Sequence, residues 1–173
     1  KEHIKNLNKN IAIIFRKYDK NLNIRKLQEI KKFCKSSNRK FFLSNNVKLA
    51  LKLDLDGVYL PSFDKSTRIN IYSKKNKFLI LGSAHNLKEI KIKESQNVDA
   101  LFLSSLFNKK KTFLGLQKFK ILKSKTKFKV IALGGINEKN INKLKLLNIY
   151  GYAAISFFNN IKKKAPKKGP FKF

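Results

Sequence analysis

Short apolar runs rich in β-branched and aromatic residues recur along this chain, and the stretches between them carry apolar residues at helical spacing. That alternation constrains the fold more than any other feature, because parallel strands must be joined by long crossovers, and helices usually supply them. Strands are predicted at residues 10–16, 40–44, 57–60, 78–82, 100–104, 129–133 and 152–156. Between them Ile24, Leu27, Ile30 and Cys34 share one helical face, as do Leu87 and Ile90, then Leu116, Phe119 and Leu122, and finally Ile141, Leu144 and Leu147. Asn137 followed by Glu138 predicts a helix start.

A succession of βα units suits either a (β/α)8 barrel or an open doubly wound sheet. The expectation is an α/β protein, a (β/α)8 TIM barrel of parallel strands whose first strand is missing from this chain. Residues 1–9 would then form the helix that follows the missing strand. One N-terminally incomplete barrel domain is expected over residues 1–158 and a basic tail over residues 159–173, with 162–170 disordered. The absence of methionine predicts that residues precede Lys1.

With 173 residues, 42% of them apolar, the chain can bury a sizeable core. No run approaches the length a membrane span needs, and no secretory leader is recognisable, so a cytoplasmic protein without a membrane partner is expected. The single cysteine, Cys34, excludes an internal disulfide and a cysteine-cluster metal site, and its place on an apolar helical face marks it as core. The charge is extreme, 41 basic against 10 acidic residues. Such a balance suggests anionic partners. Against a nucleic-acid partner, the cations are almost all lysine, with arginine only at 16, 25, 39 and 68, and they are spread along the whole chain. A general attraction for phosphorylated ligands is the reading taken.

In both candidate folds ligands bind where strands end and loops begin, at the C-terminal side of the sheet. The most specific sequence there is Val130-Ile131-Ala132-Leu133-Gly134-Gly135-Ile136-Asn137, followed after one helix by Gly151-Tyr152-Ala153-Ala154-Ile155-Ser156. A strand that ends in two glycines lets backbone N–H groups approach an anion, and an adjacent strand ending in Ile-Ser adds amides and a hydroxyl. Gly134, Gly135, Ile155 and Ser156 are therefore the candidate phosphate-binding residues; a tight turn would equally use a Gly pair.

Those two runs resemble the C-terminal signature of the thiamine-phosphate synthase and thiazole tautomerase family. Asp56-Gly57-Val58-Tyr59-Leu60-Pro61 is similar to its Asp-Gly-Val-His-Leu-Gly stretch, Ser83-Ala84-His85 to its Ser-x-His, and Asp99 through Phe107 to its segment ending near Pro-Val-Phe. All four fall in the family's order, and the likeness covers residues 10–158.

The resemblance implies a barrel acting late in thiamine biosynthesis. The synthase is a transferase that joins a pyrimidine methyl pyrophosphate to a thiazole phosphate with Mg2+, giving thiamine phosphate and pyrophosphate. Carried across by position, Gly135, Ile155 and Ser156 hold the thiazole phosphate. The family's Gln-x-Arg-x-Lys falls on Ile14-Phe15-Arg16-Lys17-Tyr18 and keeps only Arg16. Its Asn-Asp pair falls on Ser44-Asn45, so Asp64 remains as the one metal-binding carboxylate and Asn45 stands where its partner would be. Ser83 matches the serine before the family's histidine. The pyrophosphate grip falls in residues 108–112, where Lys109 and Lys111 supply charge.

Three functions stay open on this reading. The first is a divergent synthase using Arg16, Asp64 and Ser83 on the pyrimidine side. The second is a thiazole tautomerase, which needs no metal and would use His85 as the acid/base on the same phosphate site. His85 capping the following helix is the structural alternative. The third is an inactive barrel that binds anionic partners. The oligomeric state is left open.

Overall fold

In the computed structural model, the described residues are 7–18, 22–73, 75–109 and 111–160. They build seven parallel strands: β1 (Ile13–Phe15), β2 (Phe41–Ser44), β3 (Gly57–Leu60), β4 (Leu79–Ala84), β5 (Ala100–Leu103), β6 (Lys129–Leu133) and β7 (Gly151–Ala153). The strands lie side by side in sequence order, each paired in parallel with the next, so β1 and β7 are the edges. Helices α1 (Ile24–Ser36), α2 (Val47–Lys52), α3 (Leu87–Ser95) and α4 (Gly115–Ser124) supply crossovers. Two 3-10 helices, Thr67–Ile71 and Ile141–Leu147, supply others, and α5 (Ser156–Asn160) follows β7.

The period of two along each strand divides the core into two faces. Phe42, Tyr59, Leu81, Ala100, Phe102 and Ile131 pack together on one face of the curled sheet, joined by Ala12, Ile14 and Leu133. The alternate residues, among them Phe41, Leu43, Val58, Leu60 and Ile80, pack under α1 and α2. Leu101, Leu103, Val130 and Ala132 do the same under α3, α4 and the second 3-10 helix. Cys34 is buried in this outer layer, as expected, and burial pushes its thiol up to about 11.

Two aspartates repeat one device. The Asp56 carboxylate, just before β3, accepts from the Phe41 N–H at 2.9 Å, and the Asp99 carboxylate, just before β5, accepts from the Ile80 N–H at 2.6 Å. Each pins the start of a strand to its neighbour. Asp56 is thus structural. Asp54 is likewise occupied, by Lys75 and, at 3.6 Å, Lys31.

Several expectations need correction. The strand predicted at 152–156 ends at Ala153, and Ser156 opens α5 instead. The last crossover does not start at Asn137: the Asn137 side chain accepts from the Lys139 N–H in a turn, and a 3-10 helix begins at Ile141. Residues 7–9 form a bend and turn rather than helix; the rest of the helix predicted over 1–9, and the tail predicted over 162–170, lie outside the described residues.

Candidate functional site

In five of the seven strands the inward-facing stripe is apolar in its body and changes character at its C-terminal end. Ile14 is followed two residues on by Arg16, Phe42 by Ser44, Leu81 by Ser83, Phe102 by Ser104 and Leu133 by Gly135. Parallel strands in unbroken order bring these ends to one rim. The rim is therefore the candidate site: polar groups above an apolar floor, as ligand sites commonly are.

On one side of the rim, the Arg16 Nε donates to the Tyr18 hydroxyl at 3.1 Å, and its guanidinium lies 5.8 Å from the Tyr18 ring centroid and 5.7 Å from that of Tyr59. The Ser44 hydroxyl donates to the same Tyr18 oxygen at 3.3 Å. Burial raises the Tyr59 phenol, opposed by Ser83 and by the charge of Arg16. Phe63 meets Tyr18 edge-on at 5.5 Å and is 61% exposed. Arg16 and Ser83 thus reach one neighbourhood through Tyr59. Asn45 follows β2 in a left-handed conformation (φ 57°), which Asn tolerates, and its N–H donates to the Tyr59 carbonyl at 2.8 Å.

Asp64 sits in the loop after β3, its carboxylate accepting from the Ser66 N–H at 2.9 Å. The underside of this loop is clamped. Lys93, fully buried on α3, donates at 2.8 Å to the carbonyls of Pro61 and Asp64 and to Gln96 Oε1. The Gln96 amide donates to the carbonyls of Asp64 and Ser66. Burial lowers Lys93 to about 8, against the pull of Asp64 and Glu89. Its stem needs Gly82, where a Cβ would lie 2.9 Å from Lys93 Cδ. Sequence reading missed Lys93, although its place three residues after Ile90 on the apolar face of α3 was a signal.

His85 follows β4 directly. Its ring Nδ1 lies 2.9 Å from Glu89 Oε2, which also accepts from the His85 N–H at 2.7 Å, while the Asn86 side chain accepts from the Glu89 N–H. Asn86 thus caps the start of α3, and Glu89 reaches back past the cap to hold His85. The ring is a quarter exposed and held by Glu89.

On the other side, Gly134 (φ 103°) and Gly135 (φ 75°) close β6. A Cβ at Gly134 would come within 2.8 Å of Ser105 Cα, and one at Gly135 within 2.6 Å of the Asn108 N atom. The loop after β5 is bonded into the same turn, with the Leu106 and Phe107 N–H groups donating to the carbonyls of Leu133 and Gly134. Gly135 and Ser156 are exposed, Ile155 is 69% exposed, and Lys109 and Lys111 stand exposed on that same loop.

For Mg2+ the donor set is thin. Among the described residues no three His, Cys, Asp or Glu come together. One carboxylate, Asp64, and one amide, Asn45, do not make a protein cage for a hard divalent cation.

The family model described as Thiamine monophosphate synthase matches residues 6–158. The chain belongs to that family. It is 31% identical over 137 residues to a protein from Prochlorococcus marinus named thiamine-phosphate synthase, covering 77% of this chain and 40% of that protein. A Methanococcus vannielii protein of the same name is 30% identical over 133 residues, with 75% and 64% covered. The chain thus spans less than two thirds of these relatives. Among solved structures, a thiamine phosphate pyrophosphorylase from Pyrococcus furiosus superposes with a TM-score of 0.70 at 26% identity, covering 90% of this chain and 76% of that one.

Proposed function

We propose that this chain acts in thiamine biosynthesis as a thiamine-phosphate synthase, joining a pyrimidine methyl pyrophosphate to a thiazole phosphate. Family membership carries the reading, and the rim supports it. The C–O bond to pyrophosphate breaks with its electron pair leaving on oxygen, and the thiazole nitrogen closes a new C–N bond to the methylene carbon. That chemistry needs no general base. What the protein must supply is cationic stabilisation of the leaving group and alignment of the nucleophile. Arg16 is held by Tyr18 for the first task, and Lys109 and Lys111 add charge; Ser83 helps fix the pyrimidine side through Tyr59. Gly134, Gly135, Ile155 and Ser156 take the thiazole phosphate, the glycines because no side chain fits between them and the 105–108 loop. Mg2+ would accompany the pyrophosphate, with Asp64 as its one carboxylate.

The same reading takes residues 1–158 as an incomplete (β/α)8 barrel, in which an eighth strand, not among these residues, would lie between β7 and β1. A cavity of about 410 Å3 supports it, since residues of both edge strands line it together with the inner-face core.

A second reading, thiazole tautomerase, is favoured by the His85–Glu89 pair: a carboxylate on one ring nitrogen holds the ring in one tautomer and supports proton transfer at the other. It needs neither pyrophosphate nor metal. The deciding assay supplies pyrimidine pyrophosphate, Mg2+ and thiazole phosphate in either tautomer and follows thiamine phosphate by fluorescence after oxidation. Product from the aromatic thiazole establishes a synthase. Product only from the other tautomer, and only with a known synthase added, establishes a tautomerase; no product in either format overturns both. His85→Ala removes tautomerisation and spares synthesis.

A further inference from the structure

A second cavity lies away from the rim. About 700 Å3 in volume, it opens at the opposite end of the sheet, bounded by the residues that lead into β1, β2, β3 and β4 and by the last turn of α1. Its lining is basic. Lys31 and Lys75 are engaged by Asp54. The Asp56 carboxylate, also in the lining, accepts from the neutral Phe41 N–H and keeps its negative charge. That leaves Lys9, Lys35, Arg39, Lys40 and Lys77 around one space, with no carboxylate partner among the described residues.

Arg39 is 94% buried by its 6% exposure. Its terminal nitrogens donate to the carbonyls of Leu7, Asn8 and Ile11, which ties the segment before β1 to the cavity wall. Its Nε has no partner. Neutral carbonyls leave the guanidinium charge uncompensated, and a buried uncompensated cation raises the potential of any space it borders.

We propose that this cavity is a second anion site, which binds a small molecule bearing an oligophosphate chain. Five unpaired cations contributed by separate segments match several phosphate groups better than one carboxylate, and lysines serve phosphate as point charges. The volume lies in the range of small-molecule sites, roughly 300–1,000 Å3. Phe41 and Phe78 close the floor but are 1% and 8% exposed, so no aromatic face is offered for the stacking that single-stranded nucleic acid uses. The concavity also sets the site apart from the scattered surface lysines. The inference does not depend on the reaction proposed for the rim.

The test is an equilibrium titration of the full chain with inorganic tripolyphosphate and, separately, ATP, without divalent cations and at moderate salt. Lys35 and Lys77 are exposed at the cavity, and Lys118 and Lys120 are exposed on α4, away from it. The double variant Lys35→Glu/Lys77→Glu is compared with Lys118→Glu/Lys120→Glu, which changes the net charge equally. Saturable binding that the cavity pair weakens roughly tenfold, and the α4 pair changes about twofold or less, is the expected result. Equal binding of the two probes marks the phosphate chain as the element recognised, and tighter ATP binding adds the nucleoside; both support the site. Equal weakening by the two pairs would reduce the effect to net charge and overturn the proposal. So would loss of binding in Arg16→Gln with none in the cavity pair, which would move the anion to the rim. Urea midpoints of both pairs check that the fold is intact.

Discussion

Gly135 makes the sharpest stereochemical demand in the candidate site. At φ 75° an L side chain is strained, and a Cβ would press on backbone that cannot swing away, the Asn108 N atom at 2.6 Å. Gly135→Ala is therefore expected to lower stability by about 2–3 kcal/mol and to displace the loop carrying Lys109. A urea midpoint within error of the parent would refute this. Asn45 presents the opposite case, a residue whose backbone tolerates change. Aspartate also accepts φ near 57°, so Asn45→Asp should fold normally and supply a second carboxylate at the rim beside that of Asp64 if the two positions share an ion as the family resemblance implies. Mn2+ binding, read by water-proton relaxation in the presence of pyrophosphate, should tighten by about tenfold or more; unchanged binding would mean that the two positions do not share an ion. Both positions were legible in the sequence because they are strand-end residues next to recognisable motifs. The grouping of Arg16 with Tyr18 and Tyr59 was not, since it depends on where two strands and a loop converge.

At the level of elements, the legible parts were those with a strong period. The strands at 57–60 and 129–133 coincide with prediction to the residue because each is a short apolar run with abrupt ends. Helix α2 was not foreseen: six residues are too few to display a period, and what starts it is the Asn46 side chain accepting from the Leu49 N–H. The loop after β3 was equally hidden, because its shape comes from Lys93 on α3 and Gln96 at its C-cap, more than 25 residues away, gripping backbone carbonyls. Loss of this grip in Lys93→Ala should speed amide exchange in residues 61–66 while leaving β3 protected. The charge on Lys93 has a second consequence. Its folded value of about 8 lies below the ordinary 10.5, so between those pH values the unfolded chain keeps a proton that the folded chain has released. Stability from this group therefore rises as pH increases through that window, by on the order of 1 kcal/mol per pH unit. The stability difference between the parent and Lys93→Met, measured by urea unfolding at pH 7.5 and pH 9.5, should shift in favour of the parent. A flat or falling difference would show that burial does not lower the amine, which then keeps its proton in the folded chain across this window.

For the whole molecule the dominant quantity is charge. A formal net of +31 on 173 residues is accompanied by few ion pairs among the described residues, and Asp54 already serves two lysines. Folding brings the cations closer together than they are in the expanded chain, so self-repulsion opposes the compact state. Added salt shortens the range of that repulsion from about 30 Å at 0.01 M to about 10 Å at 0.1 M. The urea midpoint should consequently rise with sodium chloride over this range, the reverse of what a protein held by surface ion pairs would do. A multivalent anion adds a distinct effect if the basic cavity binds it, because a ligand that prefers the folded state stabilises it by mass action. Tripolyphosphate should then raise the midpoint beyond sodium chloride of equal ionic strength, and the excess should vanish in Lys35→Glu/Lys77→Glu while the chloride response persists. Screening alone predicts the same response to both salts at equal ionic strength. A midpoint that fell with chloride would mean that the paired charges outweigh the repulsion, which the ratio of 41 basic to 10 acidic residues argues against.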